Sequence, residues 1–103
     1  MFVYKKALQG TRQYEYEPKS VLVLEYYVIE KPLNSHESYY GIEIEQKKVK
    51  NGIDSTIECD RLILSEDKSW VEWIINKMIG YGVTITTMGS IVDDLITEKC
   101  LVR

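Results

Sequence analysis

The sequence predicts an α+β protein, with an antiparallel sheet of four to five strands in its N-terminal part and two C-terminal helices packed on one face. Three observations carry this reading. Up to about residue 64 the apolar residues recur at every second position, the period of half-buried strands. From residue 69 onward they recur at intervals of three and four, the period of an amphipathic helix. The strands also come as a run before the helices, which is the α+β order and not the alternating order of a parallel sheet.

Residues 2–8 read as a short mixed strand closed by Gly10. In residues 12–17, Tyr14 and Tyr16 take one face while Gln13, Glu15 and Glu17 take the other. Pro18-Lys19 breaks the run and fits a turn between antiparallel neighbours. Residues 20–31 form the most apolar strand, with Val21, Val23, Tyr27 and Ile29 on one face and Leu22, Leu24, Tyr26 and Val28 on the other. A strand apolar on both sides belongs near the sheet centre, covered at least partly on both. Pro32 ends it, and residues 33–37 are a polar loop.

Residues 39–49 alternate more cleanly: Tyr40, Ile42 and Ile44 point one way, Glu43, Glu45 and Lys47 the other. Asn51-Gly52 follows, a strong hairpin signal because both residues tolerate the positive φ of a type I′ turn. Residues 56–64 are the partner strand. Ser69-Trp70-Val71-Glu72 fits a capping box, Val71, Ile74, Ile75 and Met78 form a helical stripe, and Gly80 is the expected stop. Residues 83–87, short and β-branched, read as a connecting or edge strand. Ser90 is the expected cap of a second helix, whose stripe is Ile91, Val92, Leu95 and Ile96. With no repeat, linker or low-complexity segment, the expectation is one domain over residues 1–103.

Composition narrows the function classes. Thirteen Lys and Arg against 16 Asp and Glu give a net charge of −3, so the basic excess on which duplex binding depends is lacking, and nucleic acid is a disfavoured partner. No apolar run approaches the length of a membrane span, and residues 1–6 carry no apolar block of signal-peptide length. A bacterial-type cytosolic protein with no membrane association is therefore expected. Cys59 and Cys100 have no Cys or His at zinc-ligand spacing, so no metal and no cofactor are expected, and both are expected as reduced thiols.

Catalytic signatures do not appear. The single histidine, His36, stands beside Glu37 in the loop Asn34-Ser35-His36-Glu37, where adjacency alone fixes no geometry for general-base chemistry. An enzyme built on that pair is the third reading of function, behind two others.

The second concerns the Asn51-Gly52 hairpin. With a bare two-residue turn, Glu45 faces Glu58 and Glu43 faces Asp60 on the outer side, four carboxylates that repel unless they hold a divalent cation or small ligand, or dock a basic partner. A bulge or longer turn gives the other outcome, with the register shifted so that Lys47 approaches Glu58.

The first reading is a non-enzymatic protein-interaction or regulatory module, binding an unknown protein partner or self-associating through a sheet edge or through Trp73. On the first helix Trp73 falls on the polar side, among Ser69, Asn76 and Lys77, where a tryptophan is either an interface anchor or covered by a neighbouring segment. Of the eight tyrosines, most occupy strand positions that favour aromatics, and Lys47, Lys48 and Lys50 at the hairpin tip fit edge protection.

The chain also resembles a family of short uncharacterised proteins of clostridia and related Firmicutes, a domain of unknown function. The resemblance rests on Tyr40-Gly41-Ile42-Glu43-Ile44, on residues 65–67 leading into Val71-Glu72, on Val83 and on Ile91-Val92-Asp93-Asp94, and spans about residues 38–96. It implies no activity, cofactor or partner. Where that family has a proline and a histidine, this chain has Thr86-Thr87-Met88.

Overall fold

The computed structural model describes residues 4–101, with the side chains at 55–57 and 98–101 excepted. The side chains of Ile57 and Cys100 and the first strand's predicted start at Phe2 and Val3 therefore lie outside the described residues. Four antiparallel strands, β1 (Lys5–Glu17), β2 (Ser20–Pro32), β3 (Ser38–Lys50) and β4 (Ile53–Ser65), form one sheet in the order β1-β2-β3-β4. Helices α1 (Lys68–Tyr81) and α2 (Met88–Leu101) follow, joined through a 3-10 turn at Ile85–Thr87. The Cα envelope is a slab of 47 × 36 × 17 Å.

Each hairpin forms where the turn chemistry allows it. Lys19 adopts φ 64°, so Pro18-Lys19 closes β1 to β2 with the positive φ at the second central position. Asn51 and Gly52 take φ 54° and 78°, the type I′ geometry that matches the twist of the flanking strands. Between β2 and β3 the Asn34 carboxamide oxygen accepts from the N–H groups of His36 (2.8 Å) and Glu37 (2.9 Å), an Asx-type turn.

The predicted two N-terminal strand pieces are one strand. Its register against β2 steps between Leu8 and Gly10, leaving Gln9 as the extra residue of a bulge. The step carries the alternation across, so Lys5 and Ala7 before it share a face with Gly10, Arg12 and Tyr14 after it.

That face meets the helices. Leu24, Tyr26 and Val28 of β2 and Ile42 and Ile44 of β3 pack with Val71, Ile74, Ile75 and Met78 of α1, and with Val83, Met88, Val92 and Leu95. The α1 stripe is the one its spacing predicts. Burying such a set contributes about 1.5–3 kcal/mol for each large aliphatic side chain. Tyr26 is fully buried, and its hydroxyl donates to the Val83 carbonyl at 2.7 Å, which fixes the chain leaving α1 to the sheet.

The helix boundaries correct four expectations. Asp67, not Ser69, caps α1: its carboxylate accepts from Trp70 N–H at 3.2 Å. An ionised acceptor at the positive end of the helix dipole outcompetes a hydroxyl two residues further in. The helix runs through Gly80 and stops at Gly82, which takes φ 65° while the Val83 N–H reaches back to the Met78 carbonyl at 3.1 Å. Residues 83–87 form no strand, because the Tyr26 bond holds Val83 against the core and Thr87 N–H closes on the Thr84 carbonyl at 3.2 Å. The second helix starts at Met88, so Ser90 lies inside its first turn and does not cap it.

Gly82 is constrained twice, by its positive φ and by the Tyr14 hydroxyl, which occupies the place a Cβ would take. Gly82→Ala is expected to lower the unfolding free energy by more than about 2 kcal/mol in urea titration. Gly80→Ala, with open space around its Cβ position, is expected to raise it by up to about 1 kcal/mol.

Candidate functional site: the helix-free face of the sheet

Both helices lie on one side of the sheet, and among the described residues no helix covers the other side. Register places its residues in rows across β1 to β4. One row is Lys6, Ile29, Gly41 and Ile63, and the next is Leu8, Tyr27, Glu43 and Arg61. Thr11, Glu25, Glu45 and Cys59 follow, and towards the turns Gln13, Val23 and Lys47, then Glu15, Val21, Val49 and Asp54.

The hairpin register that builds these rows departs from the bare two-residue turn. Lys50 pairs with Ile53 and Val49 with Asp54 as that turn requires, but an extra residue, Ser55, then enters β4 and moves the pairs from Lys48–Thr56 to Gly41–Ile63 by one. Glu43 consequently faces Arg61, Glu45 faces Cys59, Gln46 faces Glu58 and Ile44 faces Asp60. The expected patch of Glu43, Glu45, Glu58 and Asp60 is therefore not assembled. Glu43 and Glu45 stand on the helix-free face, while Glu58 and Asp60 are exposed on the helix side. Among the described residues no group of His, Cys, Asp and Glu is placed to hold a metal ion.

Glu43 is 1% exposed although no helix covers it. Its two carboxylate oxygens are taken by cations from the outer strands, Oε2 by Lys6 Nζ at 3.1 Å and Oε1 by Arg61 Nε. Lys6 Nζ also reaches Glu45 Oε1 at 3.0 Å, and Lys47 Nζ reaches Glu25 Oε1 at 2.9 Å. The Tyr27 hydroxyl donates to Glu25 Oε2 at 3.3 Å, and Lys6 stands 4.6 Å from the Tyr27 ring centroid in cation–π range. Arg61 lies likewise 5.3 Å from the Tyr4 ring. Three cations and three carboxylates thus close on one another.

These contacts shift the titrations in the directions expected of ion pairs. Hydrogen bonding to Glu45 and Glu43 pushes Lys6 above the usual lysine range, and Glu43 does the same to Arg61. Glu25 raises Lys47, and Lys6 holds the Glu45 carboxyl below its usual value. Burial first, then Glu45 and Glu25, push the Tyr27 phenol up to about 12; burial does the same to Tyr26.

Apolar side chains flank this charged band. Ile29 is fully buried, Val21, Val23 and Val49 are half-buried, and Leu8 (52%) and Ile63 (37%) are exposed on the two outer strands. Cys59 is an exposed free thiol on the same face. Sequence alternation put Glu43, Glu45 and Lys47 there, but nothing in the sequence paired Glu43 with Lys6, a residue 37 positions away.

The other candidates lie elsewhere. Trp73 is half-buried against the core, with Lys77 Nζ 5.7 Å from its ring, while Asn76 is exposed. His36 and Glu37 are both exposed in the β2–β3 loop. A cleft of about 140 Å³ beside the start of α1 sets Lys5 and Lys68 against Glu30 and Glu72. No helix among the described residues is long and apolar enough to cross a membrane.

The fold and this face define an antiparallel meander backed by helices on one side, with the other sheet surface free of helices among the described residues. A family model, a family of unknown function (DUF6514), matches residues 5–98, and the chain belongs to that family. The match takes in the N-terminal strands that the sequence resemblance left out. No curated protein and no solved structure matches the chain.

The shifted groups give stability a pH dependence at both ends. Depression of the Glu45 carboxyl adds stability at neutral pH that is lost as pH falls through its lowered value. The raised phenols of Tyr26 and Tyr27 act in the opposite sense: their contribution is complete below pH 10 and is lost as pH rises towards 12. The melting temperature is expected to fall across that alkaline interval, and Tyr27→Phe to reduce the fall, with phenolate absorbance losing one late-titrating tyrosine in the variant.

Proposed function

We propose that the chain is a non-enzymatic protein-interaction or regulatory module that binds through the helix-free face of its sheet. We further propose a clostridial or related Firmicute source, as the sequence resemblance implies, and the cytosol as the place of work. The observation that carries the binding role is the mismatch in β2. This strand is apolar on both faces, as a strand with cover on both sides is, yet the helices cover only the Leu24, Tyr26 and Val28 face. On the other face Ile29 is sealed and Val21, Val23 and Tyr27 are half-buried, with Leu8 and Ile63 exposed on the outer strands beside them, and exposed apolar side chains grouped on one surface mark interaction sites.

The charges agree with a binding role more than with cation capture. Glu43 and Glu45 are neutralised by Lys6 and Arg61, so a metal ion must displace existing ion pairs to reach them. The surface of Trp73, Asn76 and Lys77 on α1 is the weaker docking candidate, since half of the indole is already spent on the core.

Affinity capture from a lysate of the source organism tests the reading with wild type, Val23→Glu and Asn76→Glu side by side. Val23→Glu puts a charge into the half-buried stripe, and circular dichroism checks that its fold is kept. Loss of a specifically captured protein with Val23→Glu alone supports the assignment. Retention by Val23→Glu overturns the choice of face, and no specific capture by the wild type overturns the interaction reading.

A further inference from the structure

We propose that the cleft at the start of α1 binds a small zwitterion, an α-amino acid with a short aliphatic side chain. The cleft lies on the helix side of the sheet, so it is separate from the helix-free face and from the role proposed for that face. Register assembles it. Lys5, Glu30 and Tyr40 form one row across β1, β2 and β3. Lys68 and Glu72, about one helical turn apart on α1, close the cleft from the helix. The space between them is about 140 Å³, and Val28, 4% exposed, is part of its lining.

The charges around this space are not joined to one another. On the other side of the sheet, cations within reach of carboxylates close ion pairs, Lys6 with Glu43 and Glu45, Lys47 with Glu25 and Arg61 with Glu43. Among the described residues the side chains of Lys5, Lys68, Glu72 and Tyr40 have neither an ion pair nor a hydrogen bond. Glu30 has one contact: its Oε2 accepts from the Ser38 hydroxyl at 2.9 Å, which orients the carboxylate and leaves Oε1 open. Glu30, Glu72 and Tyr40 are half-buried. A carboxylate that has given up part of its hydration gains when a cation takes the place of the lost water.

Sign, size and lining set the class of ligand. Lys5 and Lys68 balance Glu30 and Glu72, so a simple anion meets two carboxylates and a simple cation meets two ammonium groups. A molecule that carries both charges satisfies both pairs. Its carboxylate goes to the lysines and its ammonium to the glutamates, each through charge-assisted hydrogen bonds. A cavity of about 150 Å³ takes one benzene ring, so this space admits about six to nine non-hydrogen atoms and is too small for a nucleotide. Val28 and the Tyr40 ring supply the apolar surface for a short aliphatic side chain.

Amide chemical shifts of the isotope-labelled whole chain, followed during titration with L-valine to about 50 mM, test this. The expected result is saturable shifts at Ala7, Glu30 and Glu72 with a dissociation constant of about 0.1–10 mM, the range of a small ligand in an open cleft. Asn51 and Gly52, at the far end of the sheet, stay unmoved. Isovalerate, which lacks the ammonium group, and isobutylamine, which lacks the carboxylate, are each expected to bind at least about tenfold more weakly. Lys68→Gln and Glu72→Gln are expected to weaken L-valine by the same factor, and Lys50→Gln, at the far end of β3, to leave it unchanged. The analogues are measured on the wild-type chain, so they decide the matter even where a variant fails to fold. No saturable shift, or shifts centred outside the cleft, overturn the site, as does L-valine affinity unaltered in both folded cleft variants. Equal affinity for either single-charge analogue overturns the zwitterion. None of these outcomes bears on the helix-free face, which the capture experiment decides separately.

Discussion

Glu43 lies at the middle of the helix-free sheet face, almost sealed from water by a lysine from one outer strand and an arginine from the other on its two oxygens. A carboxylate in that position is stable only while both cations are in place, because a buried charge left with fewer partners costs several kcal/mol. The pairing therefore links β1, β3 and β4 through one residue, including the two strands that are furthest apart in the sheet. It also depends on register. The insertion of Ser55 brings Arg61 opposite Glu43; one residue of slip would put Asp60 there and set two acids against each other.

The helix side was legible in the sequence because its signals are periodic. Alternation placed Ile42 and Ile44 together, and the three-and-four spacing of Val71, Ile74, Ile75 and Met78 named the face that α1 buries. What the pattern could not place were features decided by a single residue's partner. Asp67 and Ser69 are both competent caps by type, and only the observed carboxylate bond to Trp70 N–H separates them. Gly80 and Gly82 are both stops by type, and the Tyr14 hydroxyl packed over Gly82 is a contact from the other end of the chain. Residues 83–87 have strand propensity, but a strand needs a neighbour to pair with, and Tyr26 had already taken the Val83 carbonyl.

The candidate site was half legible. The sequence put Glu43, Glu45 and Lys47 on one face and posed the right question about the hairpin, whether the turn was bare or bulged. It could not supply the answer, because an inserted residue changes no composition and only shifts which partners meet. Lys6 escaped notice for a related reason: in a strand read as short and mixed, a lysine looks like solvated charge. A membership in a family of unknown function leaves the chemistry to be read from surfaces, and among the described residues the helix-free side of the sheet is where apolar side chains and paired charges stand together.

The strand order has a consequence for how the molecule comes into being. Every strand pairs with its neighbour in the chain, so each hairpin closes over a loop of a few residues and the sheet can zip from β1 to β4 in the order of synthesis. The helices come last. Until α1 has been made, a nascent four-stranded ribbon shows apolar side chains on both sides and has nothing to lay against either. The arrival of the C-terminal third is what first tells the two sides apart, so premature termination within α1 leaves a sheet with two sticky surfaces, and a chain cut short there is a worse neighbour in the cell than one lost earlier.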